Sequence, residues 1–350
     1  MLDAPTTKLI TCNSQIDLTR KYKWRDFVNG GDGFLYGIPD NAPKVVRFSP
    51  IDKSMEEIGP YLGDEEYKYR SGIRAGNGSI YCIPHGAKHF LKITPSTEGG
   101  DAKVQILDKT LSINNGFSWL AGALAKDGCI YYMPFTANRI LKLDPANGDS
   151  LSLVAKTLEE KNNVYGGAVL GNDGCIYGIP SFDGYQVIKF NPVDCSIIKV
   201  GDYTKRYETF EGGVLGADGN IYAANRFGQV LKIDTSASNF TIIGSKLYSG
   251  SGYRGWGQPV LGADDCIYFP PYAHNRALQF NPRTQNVSQV GDSFESDQWK
   301  WEGAVLGSDG FIYCIPYNSK QILQIDARHV NEQILEFIQN SKRFRQENNP

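Results

Sequence analysis

The chain has 350 residues, 36 basic and 38 acidic, with a formal charge of −2. That balance leaves no electrostatic footprint for nucleic acid or for an anionic membrane surface, and no run approaches the roughly 18 apolar residues that span a bilayer. The first residues, Met1 to Lys8, show no basic stretch before an apolar core, and the seven cysteines form no C-x-x-C; a protein without a cleaved leader, in the reducing cytoplasm, is expected.

Thr7 to Thr11 alternate weakly and suit an outer strand. From Trp24 a unit begins that recurs seven times, marked by Tyr36, Tyr81, Tyr131, Tyr177, Tyr222, Tyr268 and Tyr313 at spacings of 45, 50, 46, 45, 46 and 45. Periods of this size belong to solenoids and propellers. Each unit opens on a short, mostly apolar strand such as Gly167 to Gly171, then turns at a pair such as Asp173-Gly174 or Asp309-Gly310. Such pairs accept the positive φ of a tight hairpin. The sixth unit has Asp264-Asp265 instead.

The second strand carries the tyrosine and ends at Pro39, Pro84, Pro134, Pro180, Pro270 or Pro316, with Ala224 in the fifth unit. Proline cannot donate to a ladder and so marks a strand end. A third strand such as Arg139 to Leu143 and a weaker fourth such as Ser196 to Val200 complete the unit. Four short strands per repeat describe one propeller blade. Nothing after Asp326 reads as a fourth strand for the last unit, and Thr7 to Thr11 is expected to supply it and close the ring. The sequence therefore specifies an all-β, seven-bladed β-propeller of four-stranded antiparallel blades over 5–328. An amphipathic C-terminal helix over 329–340 and a charged tail over 341–350 are expected to follow.

Three links are rich in tyrosine and charge: 61–70 with Tyr61 and Tyr67, 203–210 with Tyr203 and Tyr207, and 248–256 with Tyr248 and Tyr253. Such residues are typical of interfaces. Twelve residues before each marker stands an aromatic: Trp24, Tyr69, Trp119, Tyr165, Phe210, Trp256 and Trp301. This girdle either wedges between blades, which demands size rather than identity, or offers a stacking platform. Packing is the expected role.

The next position varies: Arg25, Arg70, Leu120, Gly166, Glu211, Gly257 and Glu302. With strand alternation, this residue or its successor faces the channel mouth. Arg25, Asp26, Arg70, Arg74, Glu211 and Glu302 are the channel-mouth candidates, Glu302 pairing with Arg25 across the closure and Arg70 and Glu211 bracketing a small polar ligand. Exposed ion pairs that only keep the rim soluble are the plainer expectation. His85, His89, His274 and His329 are the four histidines. No acidic partner is fixed for them, and no zinc, phosphate-loop or calcium-loop motif occurs, so no metal site and no cofactor are expected.

The unit G-x-D-G-x-I-Y-x-x-P…V-L-K-I-D-P resembles the repeats of the superfamily that includes streptogramin lyases, gluconolactonases and NHL-type propellers. For such lyases the resemblance implies a metal-dependent, histidine-bearing central site, and for such hydrolases a metal held by channel carboxylates. The inner-strand positions here are mostly Gly, Ala, Val and Leu. The expected function is an interaction scaffold for a protein partner, with a small-molecule ligand possible and neither nucleic acid nor membrane. The alternative is a hydrolase or lyase with its polar site at the channel mouth.

Overall fold

The computed structural model describes residues 5–12, 16–96, 100–108, 118–156, 165–181, 186–201, 209–247, 255–295 and 299–328. Its strands form seven four-stranded sheets, each antiparallel throughout. Blade one runs Trp24–Asn29, Leu35–Pro39, Val45–Phe48 and Met55–Ile58, from the axis outward. The next five blades follow the same order, and blade seven is completed by the N-terminal strand Thr7–Ile10, hydrogen-bonded to Ile322–Asp326. The expected C-terminal helix and tail lie outside the described residues. Among those residues no helix is long and apolar enough to cross a membrane.

The repeat tyrosine has a local task. In six blades its hydroxyl donates to the hairpin aspartate, as from Tyr36 to Asp32 at 2.6 Å and from Tyr313 to Asp309 at 2.6 Å. The other carboxylate oxygen accepts a backbone N–H two residues on, for example from Cys129 to Asp127 at 3.0 Å. One side chain thus fixes the turn and ties it to the second strand, an Asx-type device. In blade six Asp265 adopts φ +61° where the other hairpins have glycine, so the Asp-Asp pair keeps the same turn.

The core lies between the blades rather than at the axis. Trp24, Phe27 and Phe48 of blade one pack with Tyr313, Ile315 and Ile322 of blade seven. Tyr177 and Ile179 of blade four meet Phe210 and Ile221 of blade five in the same way. All seven girdle aromatics are buried, and each tryptophan of the girdle also donates its indole N–H to a backbone carbonyl, as from Trp301 to Gln321 at 2.8 Å. Buried rings of this kind stabilise the blade contacts and present no face for a ligand.

Two register details differ from the sequence reading. Trp256 bridges Pro271, not Pro270, and Phe210 pairs with Asn225, not Ala224, so in every blade the girdle aromatic meets the residue three positions after the repeat tyrosine. The first strand of blade six shrinks to Val260–Leu261 because Pro259 cannot donate there.

Candidate functional site

The first strands converge on the axis, where only small side chains fit. A Cβ on Gly167 would collide with the carbonyl of Gly212 in the next blade. The resulting channel encloses about 170 Å³, lined by residues such as Ser71, Gly122, Gly166 and Gln258. That is room for a few waters at roughly 30 Å³ each. Any larger molecule must be met at a mouth.

At one mouth the girdle aromatic pairs with the last residue of the second strand, as Trp24 does with Pro39, and a one-residue bulge follows immediately. A like irregularity opens the first strand in blades two, three, four and seven, and in blade five it comes one residue later, after the pair Glu211–Ala224. A bulge re-aims the side chain it carries. Arg25, Arg70 and Glu302 stand in this irregular stretch and Glu211 just before it, and the four form a chain of contacts across the ring.

Arg70 Nη2 lies 2.6 Å from Glu211, and its Nη1 lies 3.7 Å from Glu302. Arg25 Nε lies 3.3 Å from Glu302 and 3.1 Å from Asp40. The Tyr317 hydroxyl accepts from Arg25 at 2.7 Å and donates to Asp40 at 2.8 Å, and the Ser181 hydroxyl donates to Glu211 at 3.3 Å. Arg25, Arg70 and Glu211 keep only 4–5% exposure, and Asp40 and Glu302 none. The expected exposed rim pairs are therefore buried, because converging strands and the loops after each second strand exclude water. Arg70 and Glu211 touch directly instead of bracketing a ligand.

The other candidates are placed elsewhere. Arg74 is exposed at the opposite end of its strand, with its guanidinium beside Gly31. Four residues separate it from Arg70, about 13 Å at strand rise. Asp26 faces blade two, where its carboxyl is bonded to the Ser71 side chain and to the Gly72 backbone. Tyr61 is 59% exposed in the link between blades one and two, and Tyr67 is half-buried. Tyr203, Tyr207, Tyr248 and Tyr253 lie outside the described residues, as does His329.

Asp40, Ser181 and Tyr317 did not emerge from sequence reasoning, although a signal existed. Each follows the last residue of its second strand, at the position filled elsewhere by His85, Phe135, Arg226 and Tyr272. His85 packs edge-on to Tyr67 at 6.0 Å, and His89 lies 3.8 Å from Asp108. His274 lies in the corresponding loop of blade six, two residues further along than His85, and stacks on Trp256 at 4.5 Å.

Burial dominates the acid–base character of the mouth. It raises the Asp40 carboxyl despite Arg25, and with the adjacent Arg70 and Arg25 charges it drives the His85 imidazole down to about 2. Asp26 is pushed up to about 7, mainly by burial, with Glu302 adding to the shift against hydrogen bonds from Ser71, Gly72 and Phe27. The native state thus holds the Asp26 proton more tightly than the unfolded chain, near 3.9. Its stabilising effect is full below about pH 4 and disappears as the pH rises through 7. Between pH 5 and pH 8 the wild type is expected to lose about 2–3 kcal/mol relative to Asp26→Asn. Urea unfolding of both proteins at the two pH values checks this, and parallel pH curves would refute it.

The metal implied by the superfamily resemblance does not suit these donors. Among the described residues no three His, Cys, Asp or Glu side chains are grouped to hold one. Asp40, Glu211 and Glu302 are instead paired with guanidinium groups.

Comparison with solved structures places the fold. The chain superposes on a streptogramin B lyase with a TM-score of 0.71 at 14% identity, covering 91% of this chain and 97% of that one. A catalytically inactive virginiamycin B lyase from Staphylococcus aureus with quinupristin gives 0.72 at 13%, covering 92% and 99%. YCF48 bound to D1 peptide gives 0.65 at 11%, covering 94% and 99%. These likenesses are of fold, and the chain is a seven-bladed β-propeller. No protein-family model matches it, and a search of curated proteins finds no match either.

Proposed function

We propose that this propeller is a lyase- or hydrolase-type enzyme acting on a small polar molecule at the mouth that carries Arg25, Asp40, Arg70, Glu211 and Glu302. One observation supports this above the others: five charged side chains from four blades are buried together where folding needs no charge. Blades three, four and six carry Leu120, Gly166 and Gly257 at the same position and build the same architecture. Buried ion pairs are often no more stabilising than apolar replacements, so stability alone does not account for them. Clustered charge and a shifted carboxyl in a concave site favour a chemical role. Asp40, held in the cluster by Arg25 and Tyr317 with its carboxyl raised by burial, is the group placed to take or give a proton there. The quinupristin-bearing lyase of like fold agrees with this reading.

The test is depletion of a small-molecule extract, followed by mass spectrometry, with wild type and Asp40→Asn in parallel. A compound consumed by the wild type and spared by the variant is expected. No consumption, with a stoichiometric protein partner recovered on gentle purification, would replace the enzyme by the second reading. That reading is an interaction scaffold, favoured by the exposed Tyr61 and by the peptide-bound propeller of like fold.

A further inference from the structure

Blade five ends its second strand on Asn225 where the other blades have a proline, and the loop that follows is Arg226-Phe227-Gly228-Gln229. The Asn225 side chain accepts the backbone N–H groups of Phe227 and Gln229, each at 3.0 Å, an Asx-type turn that fixes the loop. The Leu247 N–H donates to the Phe227 carbonyl at 2.8 Å and ties in the link that follows the outer strand of the blade. Gly228, at φ +85°, lets the backbone lie against the Trp256 ring, where a Cβ would collide.

These contacts set two cations on one ring. The Arg226 guanidinium carbon lies 4.5 Å and the Lys246 ammonium 4.3 Å from the centre of Phe227. Among the described residues, every other cation over a ring also has a carboxylate within 3.9 Å. Lys189 over Tyr177 has Asp173 at 2.8 Å, and Arg328 over Phe311 has Asp326 at 2.7 Å. Arg226 and Lys246 have none. Glu211, the carboxylate of the first strand of blade five, is engaged by Arg70 and Ser181 instead. Two like charges held together repel, and a single shared ring compensates them only weakly.

Both cations can be reached from solvent. Lys246 is exposed and Arg226 is partly so. Of the guanidinium nitrogens only Nε is closed off, which leaves the terminal pair open. Arg226 also occupies the register that brings Asp40, Ser181 and Tyr317 to the mouth, so this pair stands on the same face as the proposed site.

A guanidinium presents a planar fork that binds two oxygens of one phosphate, and an ammonium adds a compact point charge. Two positive charges without a carboxylate match the charge of about −1.5 to −2 that a phosphate monoester carries at pH 7. The geometry points to a phosphate monoester as the ligand of this pair. The terminal N–H groups of Arg226 donate to two of its oxygens and the Lys246 ammonium donates to another. That the monoester belongs to a small molecule rests on the proposed function, whereas the anion site rests on the two unpaired cations.

Three probes that share a body and differ in charge test it: glycerol 1-phosphate, glycerate and glycerol, titrated into the full chain by calorimetry at pH 7. Glycerol 1-phosphate is expected to bind at least about tenfold more tightly than glycerate, and glycerol not to bind. Arg226→Gln and Lys246→Gln are each expected to weaken the phosphate probe by about tenfold. Added salt should weaken it too, because both cations face solvent. Lys246 is exposed, so its variant keeps the test decisive should Arg226→Gln fail to fold. Glycerate binding as tightly as the phosphate would overturn the inference. Affinity unchanged by both substitutions would overturn it as well, by placing the anion elsewhere. Silence from glycerol 1-phosphate would also overturn it while leaving the enzyme reading to the depletion experiment, and failure of that experiment would leave a measured phosphate site intact.

Discussion

Arg70→Met is expected to lower the unfolding free energy by about 3–5 kcal/mol, the usual cost of stripping one partner from a buried ion pair. The substitution removes the cation 2.6 Å from Glu211 and 3.7 Å from Glu302, both almost wholly buried. Glu211→Met should cost less, about 1–2 kcal/mol, because Arg70 keeps Glu302 beside it and the cluster becomes neutral. The double variant should be more stable than Arg70→Met alone, since neither an unmatched carboxylate nor an unmatched guanidinium is then added. Urea unfolding followed by tryptophan fluorescence measures all three, because Trp24, Trp119, Trp256 and Trp301 are wedged among the blades. A loss below about 1 kcal/mol for Arg70→Met would mean that water reaches the pair and screens it.

The same cluster shows where sequence reasoning stops. Blade number and strand order were legible because their determinants are close in sequence: a tyrosine and an aspartate four residues apart fix each hairpin in six blades. The closing strand was legible too, since a ring with one strand missing has only one place for Thr7–Ile10. The mouth depends on relations that alternation does not encode. A bulge after Trp24 interrupts the period of two, so alternation alone could not choose between Arg25 and Asp26, and it grouped Arg74 with residues at the other end of its strand.

Contacts between distant blades are harder still. Arg70 and Glu211 are 141 positions apart, and they meet because all first strands crowd the axis. Asp40 and Tyr317 enter from a different register, the residue after the second strand. Aligning that register across the blades would have exposed both, along with His85 and Ser181. It was obscured because blade five has Asn225 in place of the proline and blade six has two prolines in succession, of which the first, Pro270, reads as the strand end in place of Pro271.

Removing residues 1–12 is expected to convert a cooperative ring into an open one that unfolds early and self-associates. The deleted segment pairs all four residues of Thr7–Ile10 with Ile322–Ile325. It also inserts Ile10 and Cys12 into the cluster around Trp24 and Ile322. Without it the Ile322–Asp326 strand becomes a free edge, and an unprotected edge templates pairing with other chains. Ile10→Ala isolates the packing part and should cost about 2–5 kcal/mol, whereas Leu9→Ala, at a side chain 39% exposed, should stay within about 0.5 kcal/mol. A synthetic peptide of residues 5–12 added to the truncated protein should restore monomeric behaviour in size-exclusion chromatography, because it rebuilds the missing ladder. If the truncated chain stays monomeric and unfolds at the wild-type midpoint, closure contributes nothing and the blade contacts alone hold the ring. The inter-blade clusters are continuous around six of the seven junctions by covalent order alone. Only the junction between blades seven and one depends on a strand from the far end of the chain, so the effect of losing it should exceed that of shortening any other outer strand.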